Sequence, residues 1–156
     1  MKPSAPLPRC VVFDLGGVVC RFLPDRRLEA LWQASGLGPQ EVYARLWESG
    51  FDQACDRGRF DAEAMLGAIN SRLGCELTLP EAQRVWALAF EPEPAVLDAA
   101  RALRRRLPVA LLTDDSALLS EGLEAHLPAV AETFATRLFS CQFRRLKNDP
   151  GLFREA

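Results

Sequence analysis

An aspartate placed where an apolar run breaks into glycines is the arrangement in this sequence best suited to covalent chemistry. In Val11-Val12-Phe13-Asp14-Leu15-Gly16-Gly17, apolar residues run directly up to Asp14. Such a run suits a strand buried on both faces, and paired glycines can turn at positive φ and admit a ligand close to the backbone. An acid at that strand end is positioned as a nucleophile, although Asp and Gly also simply begin turns. Two later segments carry matching groups. Val109-Ala110-Leu111-Leu112-Thr113 reads as a second apolar strand ending in a hydroxyl, followed by Asp114, Asp115 and Ser116, and Lys147 lies in Leu146-Lys147-Asn148-Asp149-Pro150-Gly151-Leu152-Phe153. A carboxylate attacks a phosphate only when the charge on the dianion is neutralised and the groups are held in line. Lys147 offers a fixed cation, Thr113 a hydroxyl donor, and the turn around Leu15 to Gly17 backbone N–H groups.

The three segments, in this order and spacing, resemble the first, second and lysine motifs of the haloacid dehalogenase-like hydrolases, and F-D-L-G-G-V is similar to the wording of the sugar-phosphate phosphatase-like branch. The resemblance implies that Asp14, Thr113 and Lys147 are catalytic. It also implies that Thr113, Asp114, Lys147, Leu15 and Gly16 bind phosphate, and that Mg²⁺ is held by Asp14 and the backbone carbonyl of Gly16. There are departures. Asn148 stands where the family usually has proline, and Arg144 where it commonly has glycine. Gly16 lacks the second carboxylate that many family phosphatases use as general acid and base, a function typically worth about 10² to 10⁴ in rate. A fourth motif, an acidic pair completing the metal site, is expected some tens of residues after Lys147, and the sequence ends at Ala156. Mg²⁺ commonly takes one or two carboxylates plus phosphate, so its binding here is expected to be weak. Asp114 and Asp115 are read as capping and loop groups rather than as further ligands.

The elements that must hold these residues read as an α/β fold: a haloacid dehalogenase-like Rossmannoid parallel sheet, C-terminally incomplete, with a helical cap inserted after the first strand. Residues 1–22 and 92–156 form the core and 23–91 the cap. Pro24-Asp25, Pro39, Asp61 and Thr78-Leu79-Pro80-Glu81 each open a cap helix, and Ser35-Gly36, Gly50 and Gly74 close three of them. The apolar stripes in these helices, with the tryptophans and Met65, are read as packing. Arg57, Gly58 and Arg59 are candidates to face the cleft. Pro94 opens a helix leading into the 108–113 strand, and Leu138 and Phe139 mark a third strand with Lys147 in the loop beyond. The resemblance implies that a strand after the lysine motif flanks the first one, so Val11 to Asp14 is expected at a sheet edge, which invites self-association.

Composition restricts the alternatives. The 156 residues carry a net charge of −2 from interspersed acids and bases, which excludes an obvious nucleic-acid groove or anionic-membrane surface. Arg104-Arg105-Arg106 is the one dense basic run and suits a helix C-terminus. Five scattered cysteines without a C-x-x-C pair suggest a reducing compartment, and the proline-rich start lacks a signal-peptide core, so the expected location is the cytoplasm. His126, the only histidine, has no partner of its own type and reads as a surface residue. The leading expectation is a phosphatase of a small phosphorylated metabolite working through an aspartyl-phosphate at Asp14. The alternatives are a metal-independent 2-haloacid dehalogenase and a catalytically silent binding module.

Overall fold

The computed structural model describes residues 8–155. The chain forms β1 (Val11–Phe13), β2 (Cys20–Phe22), α1 (Pro24–Ser35), α2 (Pro39–Tyr43) continued by a π-helical turn at Ala44–Glu48, α3 (Phe51–Asp56), α4 (Ala62–Leu73) and α5 (Leu79–Ala87). It continues through β3 (Phe90–Pro92), α6 (Pro94–Arg104), β4 (Val109–Thr113), α7 (Ala117–His126), α8 (Pro128–Thr133), β5 (Thr136–Phe139), α9 (Ser140–Phe143) and α10 (Leu152–Glu155).

β1, β4 and β5 form a parallel sheet in the order β1-β4-β5, with Phe13 opposite Leu111 and Thr113 opposite Phe139. This register places Asp14, one residue past β1, beside the carboxyl end of β4. β4 is buried along its whole length between helical layers, as its unbroken apolar sequence requires. β1 departs from the expected burial on both faces, since Val12 is 53% exposed. The reason is positional: among the described residues β1 is the end strand and has a neighbour only on the β4 side.

Between β1 and α6 the chain is mostly helical, and the sequence punctuation explains the helix ends. Pro24 and Pro39 sit at first helical turns, where the missing N–H costs nothing. Asp61 Oδ1 accepts from Ala64 N at 2.8 Å, and Glu81 Oε2 accepts from both Thr78 N (2.8 Å) and Thr78 Oγ1 (2.6 Å). The segment after Pro39 is not one helix, however. α2 passes into the π-helical turn and α3 begins anew at Phe51, so a run read as one helix and a loop becomes three short helical pieces.

A second sheet, antiparallel β2 and β3, pairs Cys20 with Pro92 and Phe22 with Phe90. It was not apparent in the sequence, because three residues are too few to show a period of two. The ribbon brings the chain's departure from the parallel sheet and its return side by side, and Leu23 N to Ala89 O (2.7 Å) and Glu93 N to Val19 O (2.9 Å) extend it at both ends. One continuous apolar cluster joins Leu31, Leu46, Met65, Ile69 and Trp86 of the inserted helices to Leu118, Leu119 and Leu123 of α7 and to Leu111 and Phe139 of the sheet. Fully burying each of these large side chains contributes about 1.5–3 kcal/mol. α5 and α7 approach closely, since a Cβ at Gly122 would lie 2.8 Å from Gln83 Cβ.

The Arg104-Arg105-Arg106 run ends α6 as expected, with Arg104 Nη1 donating to the carbonyls of Glu132 (3.1 Å) and Thr133 (3.0 Å). All five cysteines are free thiols. No helix among the described residues is long and apolar enough to cross a membrane.

Candidate functional site

Asp14, Thr113 and Lys147 meet at the carboxyl ends of the strands. Lys147 Nζ lies 2.6 Å from Asp14 Oδ1, and the same oxygen accepts from Leu15 N at 2.7 Å. The turn after Asp14 is closed by Val19 N to Asp14 O (3.2 Å), Cys20 N to Leu15 O (2.8 Å) and Gly17 N to Cys20 O (2.7 Å). Among these backbone bonds the Gly16 carbonyl accepts none. Thr113 is buried at the end of β4. Asp114 follows it. It lines the cleft at these strand ends, and its two carboxylate oxygens accept from Lys147 N at 2.9 and 3.2 Å, so the side chain anchors the lysine. Arg144, three residues before Lys147, has φ 55° in the left-handed region.

These groups form one wall of a cleft of about 280 Å³. The facing wall comes from the inserted helices and was not read from the sequence as part of a site: Arg27, Trp47, Asp52 and Asp56, with Phe22 and Phe90 of the antiparallel ribbon. Arg27 is only 6% exposed. Its Nε and Nη2 donate to Trp86 O at 3.2 and 2.8 Å, and its guanidinium carbon lies 4.8 Å from the centre of the Trp86 ring. Burial pushes its pKa down, while Asp115, Asp52 and Asp56 oppose that shift. The arginine is therefore the counter-ion at the centre of an acidic group.

The carboxyls respond in turn. Burial raises Asp52, opposed by Arg27 and by a hydrogen bond from Trp47. Asp115 rises to about 6 through burial, held down by Arg27 and by Ser116 N, which donates to its Oδ1 at 2.8 Å. Asp56 rises to about 9, first through burial and then through repulsion from Asp115 and Asp52. Ser140 ties the two walls together: its hydroxyl accepts from Asp115 N at 3.0 Å and donates to the Asp56 carbonyl at 2.7 Å. Gly58 lets α3 come this close to α9. It has φ +66°, and any Cβ there would collide with the Cys141 carbonyl.

Arg57 and Arg59 do not line the cleft, whereas Asp56 beside them does. Trp47, read as packing, lines it too and stacks on Tyr43. Neither Arg27 nor the two acids carries a local signal. They are scattered over short helices, and only the tertiary fold shows them facing Asp14. Among the described residues no three His, Cys, Asp or Glu side chains are gathered as a metal-ligand set.

This parallel sheet, with an aspartate at the end of its first strand and helices inserted after it, matches the fold of solved haloacid dehalogenase-like (HAD) enzymes. No family model matches the sequence and no curated protein is similar to it. Among solved structures, a HAD family enzyme from Bacteroides thetaiotaomicron superposes with a TM-score of 0.78 at 16% identity, covering 97% of this chain and 77% of that one. A predicted HAD-like family hydrolase from Porphyromonas gingivalis gives 0.76 at 22% identity, covering 94% and 73%. The L-2-haloacid dehalogenase of Xanthobacter autotrophicus, with chloropropionic acid covalently bound, gives 0.57 at 16% identity, covering 96% and 63%.

Proposed function

We propose that the cleft hydrolyses a small phosphate monoester through a covalent aspartyl-phosphate at Asp14. The observation that carries this reading is the 2.6 Å pair between Lys147 Nζ and Asp14 Oδ1 at the end of β1, with Thr113 in the same cleft. A carboxylate so placed has a cation ready to neutralise an incoming dianion. The Bacteroides enzyme has been solved with magnesium and inorganic phosphate, which supports the same chemistry here.

In this mechanism phosphate displaces part of the Lys147–Asp14 contact. Lys147 and the Thr113 hydroxyl engage the phosphoryl oxygens, the N–H groups of the turn at Leu15 and Gly16 add donors, and the second Asp14 oxygen attacks phosphorus. The P–O bond to the leaving group breaks, and water later attacks the aspartyl-phosphate to release inorganic phosphate and restore Asp14. Asp14 Oδ1, once phosphate draws Lys147 away from it, and the Gly16 carbonyl are hard oxygen donors that would hold Mg²⁺, and the ion would supply neutralisation of phosphoryl charge. With these two donors, affinity for Mg²⁺ should be weak until phosphate is bound. Residues 23–91 act as the cap, excluding water and selecting the leaving group.

The test is turnover of p-nitrophenyl phosphate with Mg²⁺. Asp14→Asn is expected to reduce the rate to background, and turnover unchanged in that variant would refute the nucleophile. Gly16, which offers no carboxylate, and the lack of a three-ligand cluster among the described residues favour one second reading, a metal-independent dehalogenase. Chloride release from 2-chloropropionate in the presence of EDTA would establish it.

A further inference from the structure

We infer that Asp56 is the general acid of this site, donating its proton across the cleft to the leaving oxygen and replacing the carboxyl that Gly16 lacks. The inference rests on the phosphohydrolase reading above and identifies which residue completes it.

The departing oxygen of an alkyl phosphate is a poor leaving group unless it is protonated as the P–O bond breaks. Nothing at position 16 can do this, so the proton must come from elsewhere in the cleft. The cleft contains five carboxyls, those of Asp14, Asp52, Asp56, Asp114 and Asp115. Asp14 faces Lys147 and acts as nucleophile. Asp114 accepts the Lys147 backbone N–H with both oxygens, and Asp115 accepts from Ser116 N, so both serve as hydrogen-bond acceptors. Asp52 faces Arg27 and takes a bond from Trp47. Asp56 differs, since among the described residues no hydrogen bond reaches its carboxyl group and three of the four charged groups acting on it are acids.

The groups facing Asp56 are Asp115, Asp52 and Asp114, which favour its protonated form, and Arg27, which opposes it; Cys141 of the adjoining α9 is held as a neutral thiol by burial. Burial and this repulsion keep the Asp56 proton in place up to about pH 9. The position is also fixed. The Ser140 hydroxyl holds the Asp56 carbonyl at 2.7 Å, and the Gly58–Cys141 approach locks the turn that follows.

The step balances. Asp14 oxygen forms a bond to phosphorus while the bond from phosphorus to the substrate oxygen breaks, and its electron pair takes the Asp56 proton to give the free alcohol. Asp56, now a carboxylate, removes a proton from the water that attacks the aspartyl-phosphate. Phosphate leaves, Asp14 is a carboxylate again, and Asp56 is again protonated.

The test compares leaving groups in wild type, Asp56→Asn and Asp14→Asn. 2,4-Dinitrophenyl phosphate needs no proton, whereas phenyl phosphate does. Asp56→Asn is expected to lose about 10²- to 10⁴-fold with phenyl phosphate and little with the dinitrophenyl ester, and to lose the alkaline limb of the pH–rate profile. Equal losses on both esters, or an alkaline limb that persists, would overturn the assignment. Phenyl phosphate turnover retained in Asp56→Asn but abolished in Asp14→Asn would overturn Asp56 alone, whereas no turnover by wild type on either ester would overturn the phosphatase reading and the assignment with it. Carboxyl ¹³C NMR of aspartate-labelled wild type gives a readout independent of turnover: one resonance, absent from Asp56→Asn, should titrate in the alkaline range, and its titration at an ordinary carboxylate pH would also overturn the assignment.

Discussion

The two walls of the cleft hold their charges in opposite ways. On the sheet side, Asp14 and Lys147 form a pair whose side chains are 41% and 26% exposed. On the helical side, Arg27 is buried against Trp86 and must balance Asp52, Asp56 and Asp115 together. Water screens the first pair, which can open for a ligand at small cost. The second group is desolvated, and any imbalance within it appears as shifted protonation or lost stability. The sheet wall is thus suited to exchange one anion for another, and the helical wall to hold or release a proton. On the phosphatase reading, this division would let one cleft bind a dianion on one wall while a carboxyl stays protonated on the other.

The comparison is most easily broken at Arg27. Arg27→Met would leave three carboxyls without their counter-ion and the Trp86 carbonyl without its donors. Removing one partner of a buried ionic group costs about 3–5 kcal/mol. A loss of that size in urea unfolding at pH 8 is expected, and a smaller one at pH 4, where Asp115, raised to about 6, is protonated as Asp56 already is and needs the cation less. An equal loss at both values would show that Arg27 acts through packing alone.

Asp56 sharpens the comparison through pH. Its carboxyl rises from the ordinary 3.8 to about 9 on folding. Between these values the unfolded chain has released the proton and the folded chain has kept it, so the folded state binds more protons and stability falls as pH rises through the window. Asp56→Asn removes that term. The variant should therefore be more stable than wild type at pH 8 and lose less stability between pH 5 and pH 8, as thermal melts would show. If both proteins decline in parallel, the helical wall does not store a proton. Asp115, raised to about 6, contributes its own decline at lower pH in both proteins.

The difference between the walls also explains what could be read from the sequence. Asp14, Thr113 and Lys147 each follow a strand or its connecting loop, and strand-end chemistry leaves local marks: an apolar run, then a polar residue, then glycine or a turn. The parallel sheet and the helical insertion were legible for the same reason. The helical wall left no such mark. Arg27 lies in α1 among charged residues that are mostly exposed, and its burial follows from the β2–β3 ribbon, which brings Phe90 and the end of α5 over α1. Asp52 and Asp56 belong to a helix that begins only because the π-helical turn ends at Glu48. Arg57 and Arg59 carried the more visible charges and are not among the residues lining the cleft. Where a residue's role depends on which short helices pack together, composition and period do not report it.

Lys147→Met separates binding from folding. An ion pair this exposed contributes only about 0–1 kcal/mol to stability, so the melting temperature should barely move. Loss of the cation facing the phosphoryl group should nonetheless cost about 10²- to 10³-fold in turnover. A large fall in stability would mean that the sheet wall is as tightly coupled to folding as the helical one.

The smallest expected effect lies at Arg144. The resemblance places a glycine here, and the structure supplies the reason: the residue ends α9 with φ 55° and its N–H returns to the Ser140 carbonyl. A left-handed residue with a Cβ costs roughly 1–2 kcal/mol, while glycine costs about 0.5–1 kcal/mol in the unfolded chain's extra freedom. Arg144→Gly should therefore stabilise the protein by about 0.5–1 kcal/mol, the difference of these two. Since the exposed Arg144 side chain touches neither wall, the pH dependence of stability should stay unchanged. A destabilised variant would mean that the arginine side chain holds the Lys147 loop in place, and that the sheet wall relies on a contact as well as on the backbone turn.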